Sequence, residues 1–251
     1  MSRHLADGRV LIVGLGALGC PAAWQLAAAG VGTLVLIDPD RVELSNLHRQ
    51  LLHRSDAIGQ LKVDSAARFL AARFPAVRVE THAYALSADN APELFRPADF
   101  VIDATDGVAA KFLINDQAVQ CRRPYSHAGI LGFLGQTFTV LPGRSACYRC
   151  LFPEPPPADE VPSCQEAGVV GPIAGVIGAL QANAAISYLS GAGSGLADWL
   201  VTYDALSCRW RRIRLARNPR CPTCGSLPAI AAEDPAAARL LDASARARYG
   251  G

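Results

Sequence analysis

The sequence contains little charge, few aromatic residues and a single methionine. Its 251 residues are 18% charged and 7% aromatic, and the formal net charge is only +2. A balance this close to zero gives no electrostatic reason to expect a nucleic-acid or membrane partner. About half of the residues are apolar, which is enough for a substantial core in one large domain or two small ones.

The first residues, "MSRHLADGRV", lack the apolar segment of a secretory signal peptide. We therefore expect a cytoplasmic protein. No internal repeat is visible.

One stretch, residues 168–197, has no charged residue and is long enough to cross a bilayer. It also contains Pro172, Gln181, Asn183 and many small residues, and it follows an otherwise soluble pattern. These features favour a buried core or interface helix over a membrane span.

The only local concentration of positive charge is "RWRRIRLAR", Arg209 to Arg217. Apolar Trp210, Ile213 and Leu215 are interleaved with its arginines. This pattern predicts a strand with one solvated face, and the alternative is an anion-binding patch.

Four of the eight cysteines form two Cys-x-x-Cys pairs. A disulfide framework is not expected without an export signal. Two such pairs suit a tetrahedral zinc site at Cys147, Cys150, Cys221 and Cys224. A redox function would explain one pair and leave the other without a role. Cys20 and Cys208 are interpreted as packing residues.

Short apolar strands alternate with helical patterns through the first half of the chain. This alternation predicts an α/β, doubly wound, Rossmann-like and mostly parallel sheet, with additional C-terminal strands. Residues 1–225 are expected to form a single domain. Within it, the proline-rich residues 152–165 would be a mobile crossing loop, and residues 226–251 would be a C-terminal tail.

The motif Gly14-x-Gly16-x-x-Gly19 lies between the first strand and the first helix. Glycines here allow a sharp turn and let phosphate approach the helix N-terminus. Asp38 ends the next strand, where an acid binds ribose. These features alone favour an NAD-dependent oxidoreductase.

The residues after Asp38 favour ATP instead. Asn46, Arg49 and Gln50 follow closely, and Lys62 comes one segment later. An arginine and a lysine at one nucleotide suit a triphosphate that loses pyrophosphate. Either residue alone would be interpreted as a solvated surface charge.

Two aspartates follow the buried strand in "VIDATDG". The carboxyl end of a parallel strand is where ligands bind in such sheets. We interpret Asp103 as the cap of the next helix and Asp106 as a magnesium ligand.

These motifs together resemble the ThiF/MoeB family, the bacterial relatives of ubiquitin-activating E1 enzymes. The resemblance runs from about Val10 to Gly225, with the motifs in family order. It is carried by "VLIVGLGALG", "IDPDRVELSNLHRQ", "GQLKVDSA", "DATD", "CYRCL", "SCQEAGVVGPIAGVIGALQA" and "NPRCPTCG".

The resemblance implies ATP-dependent adenylation of the C-terminal glycine of a ubiquitin-like sulfur-carrier protein. It also implies Mg²⁺ at Asp106, a structural Zn²⁺ at the four cysteines, a homodimer and a separate sulfur donor. The pathway stays open among molybdopterin, thiamin and related thio-metabolite synthesis, with molybdopterin favoured. The implied nucleotide-binding residues are Gly14, Gly16, Ala17, Gly19, Asp38, Asp40, Ser45, Asn46, Arg49, Gln50, Lys62, Asp106 and Gly107.

Arg49, Lys62 and Asp106 would be catalytic in such an enzyme. The resemblance leaves Cys164 open, as a nucleophile toward the activated carrier or as a bystander. It also leaves open whether Arg3 reaches the partner subunit's nucleotide.

Two positions depart from the family. Gly107 replaces an asparagine, and Lys111 replaces an arginine. These departures keep a second interpretation open, a carrier-binding homologue with weak activity.

Overall fold

An eight-stranded sheet forms the centre of the molecule, a computed structural model that describes residues 5–156, 168–193 and 195–226. The strand order is β3-β2-β1-β4-β5-β6-β7-β8. The strands are β1 Arg9–Val13, β2 Thr33–Ile37, β3 Arg78–His82, β4 Phe100–Asp103, β5 Tyr125–Leu131, β6 Leu134–Val140, β7 Trp199–Asp204 and β8 Arg209–Arg214.

The first five strands pair in parallel, and β5 through β8 pair antiparallel. This arrangement confirms the α/β fold class and the additional C-terminal strands. Strand β7 was not predicted, because its sequence has neither a regular alternation nor a fully apolar run.

Helices cover both faces of the parallel part of the sheet. They are α1 Gly19–Ala28, α2 Lys62–Arg73, α3 Ala91–Phe95, α4 Val108–Gln120, α5 Tyr148–Leu151 and α6 Gly171–Leu189. Strands β1, β2 and β4 send alternate side chains into two separate cores. Ile12 packs with α1, α2 and α6 on one face, and Leu11 packs with α3 and α4 on the other. Burial on both faces explains why these strands are continuously apolar.

Helix α6 is the charge-free segment. It is the one helix in the described parts of the chain whose length and hydropathy would allow a membrane span, with a mean hydropathy of 1.3. It packs against α1, β5 and β6. Gly178 makes the contact with α1 possible, because a Cβ there would lie 2.5 Å from the carbonyl oxygen of Leu18. Half of this apolar stretch is buried, so the helix packs into the core along part of its surface and is not buried all round.

Two predictions about β8 and the turn before it are wrong. All six residues of β8 are exposed, so the strand has no buried face. It is the last strand of the sheet, and no described helix covers it. Cys208, interpreted as a packing residue, is also exposed and has a positive φ of 49° in the turn before β8.

The strand order places a crevice at the carboxyl ends of β1, β2 and β4. Strand β1 lies between β2 and β4, so the order of the strands runs outward from β1 in both directions. Ligands bind at such switch points in doubly wound sheets, because the loops diverge there and leave a cleft.

Candidate active site

The glycine turn after β1 is built without room for side chains. Gly14 has a φ of +93°, and a Cβ there would lie 2.8 Å from the carbonyl oxygen of Ala104. A Cβ on Gly19 would lie 1.9 Å from the carbonyl oxygen of Gly14. Gly14, Gly16 and Ala17 consequently line the cleft with backbone alone or with a methyl group, just before the start of α1, which suits an approaching phosphate.

Asp38 lies beside that turn and also lines the cleft. Its side chain is almost fully buried and accepts two backbone hydrogen bonds, from Leu15 N at 2.7 Å and Asp40 N at 2.8 Å. A carboxylate can accept about four hydrogen bonds, so its remaining lone pairs can take ribose hydroxyls.

The polar run is a compact local structure. The turn Leu44–Asn46 is a 3₁₀-helix closed by a capping box in which Asn46 Oδ1 accepts the backbone N–H of Glu43. Half-buried Arg49 donates to the carbonyl of Ser45 at 2.8 Å. Buried Gln50 also lines the cleft, and it lies near Gly16.

Lys62, the first residue of α2, points into the same cleft. Its side chain is 8% exposed, and Nζ lies 2.7 Å from Asp40 Oδ2. A buried lysine whose one counter-ion is exposed is a suitable partner for phosphate oxygens.

Asp103 does not cap α4, so that interpretation is wrong. Gly107 occupies the cap position, and no side chain caps the helix there. Asp103 is instead fully buried, and its carboxylate accepts hydrogen bonds from Thr105 Oγ1 at 2.7 Å, His127 Nδ1 at 2.8 Å and Lys111 Nζ at 3.4 Å. Burial acts to raise the pKa of Asp103, but Lys111 and His127 outweigh it and lower that pKa to about 2.

This buried group holds the loop that carries Asp106. Lys111 Nζ also donates to the carbonyls of Thr105 at 2.6 Å and Ala128 at 2.7 Å, which ties the loop to β5. Asp106 and Gly107 remain exposed at the rim of the cleft. Lys111 thus acts here as a buried structural cation.

All but two of the residues expected to bind nucleotide line one cleft of about 590 Å³. Gly19 and Ser45 do not line it. Gly19 allows close packing under the turn, and Ser45 holds Arg49 through its carbonyl. Residues far apart in sequence, such as Asp38 and Asp106, meet here because parallel strands end at the same edge of the sheet.

A second cavity of about 600 Å³, called the trough below, continues from this cleft across the antiparallel strands. It shares Asp106, Lys111, Gly129 and Ile130 with the first cleft. Its floor includes His127, Gln136, Thr202 and Asp204, and it ends at Arg209 and Arg211 of β8. No local sequence pattern indicates this cavity, because its floor depends on pairings between strands that are distant in sequence.

The four cysteines of the two Cys-x-x-Cys pairs meet at the far end of α4. Their sulfur atoms lie within 4.8 Å of one another, with Cys147–Cys221 at 3.6 Å and Cys150–Cys224 at 3.4 Å. Such a group can hold a metal ion. A redox pair would not explain why all four are together.

Two predicted residues, Cys164 and Arg3, lie outside the described residues, as does most of the expected crossing loop.

Comparison with known proteins matches the ThiF family model to residues 2–223. The chain is also 45% identical over 230 residues to the sulfur carrier protein adenylyltransferase of Thermus thermophilus, covering 90% of this chain and 85% of that protein.

The chain belongs to the ThiF family.

Other ThiF-family relatives are longer. The adenylyltransferase and sulfurtransferase MOCS3 of Sus scrofa is 45% identical over 228 residues, which cover 90% of this chain but only half of that protein. The crystal structure of MccB from E. coli superposes with a TM-score of 0.79 at 22% identity, covering 92% of this chain and 68% of that one. At that identity the match establishes the fold alone.

Proposed function

We propose that this ThiF-family protein uses ATP to adenylate the C-terminal glycine of a ubiquitin-like sulfur-carrier protein and releases pyrophosphate. The observation that carries the proposal is that Arg49 and Lys62 line the same cleft as the glycine turn and Asp38. A dinucleotide needs an acid for its ribose, but it does not need two cations at the phosphates.

The reaction requires little covalent work from the protein. The carrier's terminal carboxylate oxygen attacks the α-phosphorus, a new O–P bond forms, and the bond to the pyrophosphate oxygen breaks. Negative charge grows on the leaving pyrophosphate, and Arg49 and Lys62 can neutralise it. The backbone of the glycine turn holds the remaining phosphate oxygens. Positioning and electrostatics account for the rate in such a site.

Asp106 would hold Mg²⁺, and an exposed carboxylate at the rim of the cleft fits the oxygen donors that this ion prefers. The ion would supply positive charge to the phosphates. The four cysteine sulfurs, called the sulfur cluster below, would hold structural Zn²⁺. Sulfurs of a tetrahedral zinc site are about 3.8 Å apart for a Zn–S bond of ~2.3 Å, close to the distances between the sulfurs here.

The trough suits the carrier's C-terminal tail. It leads from an open edge of the sheet to Asp106, and Gly129 lines it without a side chain. Arg209 and Arg211 at its outer end would attract a carrier with acidic groups near the tail.

The test is ATP–pyrophosphate exchange against purified carriers that end in Gly-Gly. We expect exchange that depends on one carrier and on its terminal carboxylate, and no exchange with the carrier amidated at its C-terminus. Binding of a nicotinamide dinucleotide in place of ATP would contradict the proposal. ATP binding without exchange with any carrier would favour the weakly active homologue.

Several finer points remain part of the proposal. They are a single domain over residues 1–225, a homodimer, a cytoplasmic location, a separate sulfur donor, and a role for Cys164. The mass of the protein in solution tests the dimer.

A further inference from the structure

His127 is a buried titratable residue that the proposed mechanism leaves without a role. It lies on β5, level with Asp103 on β4, and its side chain is 1% exposed. Its ring packs between Phe138 and Tyr148, with centroid distances of 5.0 and 4.8 Å. Nδ1 lies 2.8 Å from Asp103 Oδ2, and Nε2 has no hydrogen-bond partner within the described parts of the chain.

The surroundings fix the proton on Nδ1. Asp103 is ionised at neutral pH, since its pKa is about 2, and an ionised carboxylate only accepts hydrogen bonds. Nδ1 is therefore the donor. Burial lowers the pKa of His127, so the ring is neutral and Nε2 carries a bare lone pair. A buried acceptor without a partner is costly and needs an explanation.

His127 also lines the trough, together with Asp106 and Lys111. Two residues further along β5, Gly129 contributes no side chain, so an extended peptide can approach the strand closely. In the proposed reaction the carrier's terminal carboxylate must stop beside Asp106. The last peptide groups of its tail then lie in this part of the trough.

We propose that His127 is a positioning residue whose Nε2 accepts a hydrogen bond from a backbone N–H near the C-terminus of the carrier. This inference rests on the proposed function. A lone pair attracts an N–H and repels a carbonyl oxygen, so Nε2 selects one register of the tail. A glycine-rich tail offers such N–H groups without a side chain that would block them.

A purely structural histidine would need only its Nδ1 contact with Asp103. His127→Asn separates the two roles, because the asparagine amide can donate to Asp103 from the position of Nδ1 while the Nε2 acceptor is removed. Phe138→Leu is the matched control. It loosens the same aromatic cluster and leaves Nε2 in place.

In ATP–pyrophosphate exchange, we expect His127→Asn to raise the KM for the carrier about tenfold and to leave the KM for ATP unchanged. Phe138→Leu should lower the melting temperature without changing the KM for the carrier. Equal carrier KM values in wild type and His127→Asn would overturn the inference.

A modification of the substrate gives a second test, in which each enzyme is compared with itself on modified and unmodified carriers. Carriers whose last or penultimate glycine is N-methylated each lack one N–H. We expect one of them to lose about tenfold in kcat/KM with the wild-type enzyme, and to lose nothing further with His127→Asn. Equal losses with both enzymes would overturn the inference.

The two proposals fail in different ways. Absence of exchange with every unmodified carrier removes the proposed function and this inference together. Normal exchange that tolerates both N-methylated carriers in the wild type removes this inference alone.

Discussion

Lys62 and Asp40 form an asymmetric ion pair in the candidate nucleotide cleft. Their charged atoms are 2.7 Å apart, but the lysine side chain is 8% exposed and the aspartate side chain is 63% exposed. The lysine is held by the protein, whereas the acid has room to move into solvent. A phosphate entering the cleft can therefore replace Asp40 as the partner of Lys62 with little rearrangement.

Lys62→Ala and Arg49→Ala should each fold normally and lose ATP–pyrophosphate exchange. One preorganised charge at a leaving group contributes about 2–4 kcal/mol to transition-state stabilisation, or roughly 30- to 1000-fold in rate. Arg54→Ala is the control, because Arg54 is exposed, pairs locally with Asp56 and does not line the cleft. Wild-type exchange in the two cleft variants would show that the assignment is wrong.

Gly19→Ala should destabilise the protein and weaken ATP binding. The added Cβ would meet the carbonyl oxygen of Gly14 at 1.9 Å, and backbone cannot move away as a side chain can. We expect a loss of about 1–3 kcal/mol in the free energy of unfolding, as for other overpacked sites. It can be measured by urea denaturation.

Gly175→Ala is the matched glycine substitution. Gly175 lies inside α6, and none of the described residues packed around the helix comes within 4 Å of the position that an added Cβ would take. Alanine should therefore stabilise the helix by about 1 kcal/mol. Similar effects of the two substitutions would contradict the packing argument for Gly19.

The sulfur cluster should bind about one zinc ion per chain. Cys221→Ser removes one of four ligands, so we expect loss of metal and a lower melting temperature. Cys208→Ser is the control, since Cys208 is exposed and lies outside the cluster. Elemental analysis of the purified proteins measures the metal. A metal-free wild type that is stably folded would refute the zinc assignment.

Acidification below pH 6.5 should destabilise the protein through two buried histidines. Burial lowers the pKa of His53 and of His127 in the folded state. Below about pH 6.5, the ordinary histidine pKa, the unfolded chain binds protons that the folded chain does not. Stability then falls as pH decreases toward the folded pKa values, by about 1.4 kcal/mol per pH unit for each histidine.

His53→Gln should make that pH dependence shallower, because only His127 then remains. Urea denaturation of both proteins at pH 7.5, 6.5 and 5.5 provides the comparison. Metal release in acid would affect both proteins alike, so the difference between them reports His53. Parallel stability curves would argue against this explanation.

Local signals made the first half of the molecule predictable. The glycine turn, the apolar β1 and the acid at Asp38 are each encoded within a few residues, and the cleft follows from parallel strands ending at one edge. The four cysteines were also predictable, since paired spacing is itself a metal-site signal.

Long-range pairing explains what the sequence did not indicate. His127 and Asp103 are 24 residues apart and meet only because β5 lies beside β4. Sequence alone could not show this contact, and Asp103 was therefore interpreted as a helix cap. The exposed position of β8 has the same cause, because nothing within the strand shows that it is last in the sheet.

The two cysteine pairs bracket α6, β7 and β8, since partners such as Cys150 and Cys224 are 74 residues apart. A metal ion at these sulfurs would close that long segment into a ring and lower the entropy of the unfolded chain. Strands β7 and β8, which line part of the trough, lie inside that ring. Loss of the metal would therefore destabilise these strands as well as the segment that carries the cysteines.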